Sequence, residues 1–481
     1  MKSEQPAQSN LVWTRVLAQR RSRRGAQWLV TSLLAACLPL VGACSDDDSP
    51  LSDSEEKAET EVEEGTATRT VVAYMVGDNK SSGASDLSSL LLANIDSMMV
   101  GMQGVTDGRL LVFSKLSTSD YSYLYRIKST NGTVTADTLY TYSGINPLAY
   151  ETMGSILSTA FSDYPAEGYG LIFASHGEGW VQASTSAGAS LRSTDLDAES
   201  DSVLAISPSA STSASSSISA SAEATDSSDG RLDSSDAVAQ QYIGAYSSTA
   251  MNIADFRTAL QASGQHLDFI LWDACFMQSV EVAYELRDEV DYFIGSPTEI
   301  PGPGADYAQV TPTLFSTSSD YATEIAQAYY QPYAEKYTGQ TPTSNYNWTG
   351  GVSISVIASA GLDALATQSA AIFGSYAFDG TVSSIMRYDR RSTKYRYYYD
   401  LDGLMAYLTD ESEDYDSWRE AFDAAVPSWL TTEMNYSSSG GMFSMSGAEG
   451  LSTYIPTSST SSTTLAFYLE YEWPTDTGWG Q

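Results

Sequence analysis

The chain has 481 residues, long enough for two or three domains and a large core. Its formal charge of −36 argues against binding to nucleic acid, because such a surface repels a phosphate backbone, and it predicts high solubility. A field of that sign attracts cationic peptides.

The first 44 residues differ from the rest. Lys2, Arg15, Arg20, Arg21, Arg23 and Arg24 precede an apolar run from Trp28 to Ala43, which ends in Val41-Gly42-Ala43-Cys44. A basic stretch, a short apolar stretch and small residues form a secretory signal. The run falls short of the ~20 residues that a spanning helix needs. Its end resembles the lipobox of bacterial lipoproteins, which implies that Cys44 is the acylated first residue of the mature chain. Leu34-Ala35-Ala36-Cys37 is a rival lipobox. Cys44 is preferred because Ser45-Asp46-Asp47-Asp48 follows at once, a tract similar to the surface-export signal of Bacteroidetes lipoproteins. The resemblance implies attachment to the outer membrane or cell surface through lipid. Of the three cysteines, Cys37 and Cys44 belong to this signal. Cys275 is then the lone thiol of an exported protein, and no internal disulfide can form.

Residues 45–68, rich in Asp, Glu, Ser and Thr, read as a disordered acidic tether. A domain is expected over 69–344, opening with the apolar strand Thr70–Val76 and a helix carrying Leu87, Leu91, Ile95 and Met98. Leu110–Phe113 reads as a buried strand, Tyr121–Ile127 as an alternating hairpin strand and Tyr150–Phe161 as a helix. A further buried strand, Tyr169–Ser175, ends at His176-Gly177-Glu178-Gly179-Trp180. Residues 182–240 are low in complexity and read as a long surface insertion. The apolar run Leu267–Trp272 stops at Asp273-Ala274-Cys275, and Met277, Val280, Tyr284 and Leu286 continue at helical spacing. Tyr292–Ile294 and a Gly/Pro-rich loop containing Asp306 follow, then a helix from Tyr321 to about Tyr337. Residues 345–481 read as a smaller mixed α+β region, with a strand at Gly351–Ile357, a helix at Leu362–Phe373 and a late strand at Leu451–Pro456. Arg387, Arg390, Arg391, Lys394 and Arg396 concentrate positive charge there. Such a run is ordinarily a solvated loop paired with an acidic body, the alternative being a cationic segment that occupies the active site.

Alternating strands and helices predict an α/β fold with a mostly parallel sheet, in which chemistry gathers at the carboxyl ends of the strands. Cys275 and His176 both stand at such ends. Nucleophilic cysteine chemistry needs a thiolate, an imidazole and donors for an oxyanion. The backbone N–H groups of Gly177 and Cys275 are the candidate donors, and a helix starting at Cys275 would lower its pKa. Taken singly, a buried cysteine or a lone histidine is more often structural. The other histidine, His266, reads as a solvated turn residue.

Ala174-Ser175-His176-Gly177-Glu178-Gly179-Trp180 and Asp273-Ala274-Cys275-Phe276-Met277 resemble the clostripain family of cysteine peptidases. Glu281–Glu285, Ser296-Pro297-Thr298-Glu299, Gly304–Tyr307 and Gly450–Pro456 continue the match over about residues 69–470. The resemblance implies a caspase-like three-layer α/β/α sandwich. It also implies Cys275 as nucleophile, His176 as general base or acid, and cleavage after Arg or Lys. Asp273 and Asp306 are carried over as acidic pocket residues, although a strand-end cap and a turn residue explain them equally well. Self-cleavage between the His and Cys segments would fall after Arg192 or Arg231, the only basic residues of the insertion. No cofactor is implied. Calcium stays open, since no Asp-x-Asp-x-Asp-Gly loop followed by Glu is present.

The competing reading is a catalytically weak or inactive, surface-anchored binding protein on the same fold, its 32 tyrosines and nine tryptophans lining a binding surface. A metal hydrolase lacks His-Glu-x-x-His, and a serine hydrolase lacks Gly-x-Ser-x-Gly at a strand end.

Overall fold

The computed structural model describes residues 66–78, 86–181, 243–246, 249–345, 347–391, 397–458 and 460–481. The export signal with Cys37 and Cys44, nearly all of the tether, the insertion with Arg192 and Arg231, and Lys394 and Arg396 lie outside the described residues. The described residues of Ala67–Gln481 form one compact unit.

In chain order the elements of the sheet and its helices begin with β1 (Ala67–Val76), α1 (Ser88–Gly101), β2 (Arg109–Lys115), β3 (Tyr121–Thr130) and β4 (Thr133–Ser143). They continue with α2 (Tyr150–Asp163), β5 (Ala166–Ala174), α3 (Ile253–Ser263), β6 (Leu267–Asp273), α4 (Val280–Leu286) and β7 (Val290–Gly295). Next come α5 (Tyr307–Thr313), α6 (Tyr321–Lys336), β8 (Ser353–Ala358), α7 (Ser359–Ser375), α8 (Leu401–Thr409), α9 (Glu413–Ala425) and β9 (Ser428–Thr431). Two short helices, α10 (Ser462–Tyr468) and α11 (Glu472–Thr477), close the chain.

Among the described residues the main sheet has nine strands, in the order β9-β8-β7-β6-β5-β1-β2-β3-β4. The central five, β7-β6-β5-β1-β2, are parallel, and an antiparallel pair flanks each side. This is the mostly parallel α/β fold expected. The strands β8 and β9 of the C-terminal region extend this same sheet.

A central parallel strand is covered on both faces, so it reads as a continuous apolar run and not as an alternation. In β1, Val72, Tyr74 and Val76 enter the main core, while Val71, Ala73 and Met75 are buried against the other face. Val72, Leu171 and Ile270 line up across β1, β5 and β6, as do Tyr74, Phe173 and Trp272. The Tyr74–Phe173 and Phe173–Trp272 ring centroids are 6.2 and 6.0 Å apart. Burial of each such side chain contributes about 1.5–3 kcal/mol. Helices α2, α3, α4, α7, α8 and α9 add to this core, with Tyr468 of α10 and Trp473 of α11, and α1, α5 and α6 pack with one another away from it.

The expected elements differ from those observed mainly at the edges. The helix after Cys275 begins only at Val280, with Ser279 as its N-cap, because residues 274–279 turn sharply to leave the sheet. The late strand shrinks to Ser452–Thr453, which pairs with Tyr399–Asp400. The edge strands β4 and β9 have no counterpart in the sequence reading. Their side chains are largely half-buried or exposed, so they lack the apolar signature of the central strands.

Candidate active site

Strands β5 and β6 are parallel neighbours, with Ala174 opposite Asp273. His176 and Cys275 therefore each stand two residues beyond a matched pair, at the carboxyl end of the sheet. The turns that follow touch. A side chain at Gly177 would place its Cβ 2.7 Å from the carbonyl oxygen of Cys275 and 2.9 Å from the Cβ of Ala274. Only glycine lets the two backbones approach so closely. His266 precedes β6, a strand length of roughly 20 Å from Cys275. There it bonds Asp291 at 2.8 Å, half-exposed.

Cys275 is half-buried and is the free cysteine of the described residues. Its Sγ accepts a hydrogen bond from the N–H of Ile300 at 3.4 Å. Burial first, and then the negative charge of Glu299, push the thiol up to about 12. This reverses the expected lowering by a helix start. The positive end of α4 lies at Ser279–Val280 and not at Cys275, so the helix cannot offset the desolvation. Phe276 has φ +60°, a left-handed conformation costing of order 1–3 kcal/mol for a bulky residue. Its N–H donates to the carbonyl of Thr298 at 3.0 Å and that of Gln278 to Ser296 at 3.2 Å. The Ser296–Glu299 loop thus holds the turn carrying the thiol. Glu299 in turn accepts hydrogen bonds from Ser438.

Asp273 points away from the Trp272 side of the sheet and is 5% exposed. Its carboxylate accepts from the hydroxyls of Tyr307 at 2.8 Å and Tyr329 at 2.9 Å, and from the N–H of Ala305 at 3.2 Å. Burial raises its pKa and these three donors oppose the rise. Gly304, at φ +68°, lies against this carboxylate, and a Cβ there would stand 2.4 Å from Oδ2. Asp273 thereby anchors the 304–307 loop, whose next residue, Asp306, precedes α5. The Asp306 side chain is half-buried and does not cap that helix.

Distant segments complete the surroundings. The buried Glu281 carboxylate accepts from the N–H of Tyr454 at 2.8 Å and the hydroxyl of Thr453 at 3.0 Å. Ser452 N–H donates to the Gln278 carbonyl at 3.0 Å. From the basic segment, Arg391 forks onto Glu178 (Nη2–Oε2 2.7 Å) and also meets Asp389 at 3.0 Å. Arg391 thus pairs with acids, but in a largely buried setting and not as the solvated charge expected of such a run. It does so beside the Cys275 turn, with its guanidinium 4.3 Å from the Phe276 ring centroid. The sequence reading missed this link and the place of Glu299. The signal for the first was the acid in His176-Gly177-Glu178, which has a use only if a cation comes to it.

The sequence profile of the clostripain family matches residues 73–208 and 229–481. The chain is similar to a secreted C11 cysteine protease from Bacteroides thetaiotaomicron, solved with an irreversible peptide inhibitor. The identity is 35% over 85% of this chain and 99% of that one, with a TM-score of 0.67. An inactive zymogen C11 protease from Parabacteroides distasonis is 27% identical, over 86% of this chain and 99% of that one, at a TM-score of 0.64. No curated protein matches the chain. The chain therefore belongs to the clostripain family, the C11 peptidases.

Proposed function

We propose that this protein is a cysteine endopeptidase that cleaves peptide bonds after Arg or Lys. The observation that carries the reading is the contact of the His176-Gly177 and Cys275-Phe276 turns at the ends of two parallel strands. His176 takes the Cys275 proton as Sγ attacks the scissile carbonyl carbon, forming a C–S bond and a tetrahedral oxyanion. A thiol raised by burial is protonated at rest, so a base acting during attack suits this site better than a stored thiolate. The N–H groups of Gly177 and Cys275 receive the oxyanion. The imidazolium then protonates the leaving amine as the C–N bond breaks, and water hydrolyses the thioester by the reverse proton path.

In this reading Asp306, on the loop held by Asp273, supplies the negative charge that selects a cationic side chain. Cys44 carries the lipid that attaches the enzyme to the outer membrane or cell surface, with Cys37 as the alternative. Protein or peptide substrates are its partners, and the reaction requires no cofactor. Self-cleavage after Arg192 or Arg231 matures the chain.

The test is a library of fluorogenic peptides offered to the wild type and to Cys275→Ala. Turnover confined to Arg and Lys peptides, and lost in the variant, is expected. No turnover by a folded wild type would favour the inactive binding protein instead.

A further inference from the structure

Beyond the strand ends, the sheet no longer dictates how the His176 and Cys275 turns sit relative to each other. Two side chains reach both, those of Arg391 and Tyr398. The Arg391 guanidinium binds the two carboxylate oxygens of Glu178, two residues after His176. The same group lies 4.3 Å from the ring centroid of Phe276, the residue after Cys275. Tyr398, seven residues on, stacks on that ring at 4.7 Å and 10°, and its hydroxyl donates to the Glu178 carbonyl. Gly179, at φ +55°, lies against the Phe276 carbonyl, where a Cβ would stand 2.6 Å from the oxygen.

Asp389 aims the guanidinium. It accepts from the backbone N–H of Arg391 at 2.9 Å and from its Nε at 3.1 Å, and it is itself fully buried. A solvated surface charge does not need such a frame. The side chains of Arg391 and Glu178 are only 23% and 15% exposed, so the pair was brought out of water at a cost that its geometry must offset. The planar fork is what an ammonium lacks: it holds a carboxylate edge-on while its face covers an aromatic ring.

We propose that Arg391 is a positioning residue that locks the His176 and Cys275 turns in reactive register through Glu178 and Phe276. The inference rests on the peptidase reading. Arg391 touches no reacting atom. Its loss releases the left-handed Phe276 from one of the groups that hold it and lets the His turn move, and displacements near 1 Å cost about 10²-fold in rate.

The experiment compares wild type, Arg391→Met, Arg391→Lys and Glu178→Gln/Arg391→Met for kcat and KM on an Arg-containing fluorogenic peptide. Each melting temperature is recorded, and Arg391→Ala, which leaves the space of the lost side chain open, is assayed with added ethylguanidinium. The expected result is a kcat about 10²-fold lower in Arg391→Met with KM changed less than about threefold, incomplete recovery by lysine and partial rescue of Arg391→Ala by ethylguanidinium. The double variant removes the stranded carboxylate. It should regain melting temperature yet stay slow, which separates positioning from stability. A kcat within about threefold of wild type in Arg391→Met, or activity restored together with stability in the double variant, overturns the proposal. A folded wild type without turnover overturns the peptidase reading, and the proposal with it.

Discussion

Ala174 faces Asp273 across the parallel pair β5–β6, and this single register brings His176 and Cys275 level at the end of the sheet. His266, at the other end, is excluded by the same geometry. Replacement of His176 by Ala should lower kcat/KM by about 10³-fold or more, whereas His266→Ala should leave it within about twofold. Steady-state kinetics on one Arg peptide decides both. Equal losses in the two variants would refute the assignment.

Glu299 adds negative charge next to a thiol already raised by burial. Glu299→Gln keeps an acceptor for Ser438 and removes that charge, so the thiol pKa should fall. Alkylation of Cys275 by iodoacetamide at pH 8 should then speed up by about 3- to 10-fold, since one pKa unit is tenfold in thiolate. An unchanged rate–pH profile would show that burial alone sets the pKa.

Asp306 stands on the loop that Asp273 anchors to Tyr307 and Tyr329. Asp306→Asn should raise KM for Arg and Lys peptides by about tenfold, the equivalent of ~1.4 kcal/mol, with little change in the melting temperature. Asp273→Asn should instead destabilise the fold, because it strips charge from a buried acceptor of three hydrogen bonds. Paired melting and kinetic measurements separate the two roles.

Glu281 is fully buried, and one of its carboxylate oxygens has no partner among the described residues. Burial, opposed chiefly by the Tyr454 N–H, raises its pKa from 4.5 to about 7. The folded chain therefore binds a proton that the unfolded chain releases between these values. The stability this confers is present in full below pH 4.5 and is lost as pH rises through 7. Asp400, raised to about 7 by burial, acts in the same direction. Chemical denaturation at stepped pH should show that Glu281→Gln has a flatter profile than wild type.

Self-processing requires Arg192 or Arg231 to enter the site of the same or another molecule. Wild-type protein should elute as one species under native conditions yet resolve into fragments on a denaturing gel, and Cys275→Ala should run as one band. Identical patterns in the two proteins would rule out self-cleavage.

Much of this was readable along the chain. Buried parallel strands are apolar on both faces, so Thr70–Val76, Tyr169–Ser175 and Leu267–Trp272 announce themselves as largely apolar runs without alternation, each ended by a polar turn. Counting thiols singled out Cys275, and the strand ends singled out His176. These are local properties, because strand periodicity and termination depend on neighbours in sequence. What depends on residues far apart was not readable. The turn at Cys275–Ser279 delays the helix because its donors reach the Ser296–Thr298 loop, and the thiol pKa rises because folding buries it beside Glu299. Asp273 becomes the anchor of two helices only when Tyr307 and Tyr329 pack above it. The basic run around Arg391 carries no mark of its role, since its meaning comes from Glu178, more than two hundred residues earlier. Pairing across that separation is a property of the folded chain alone.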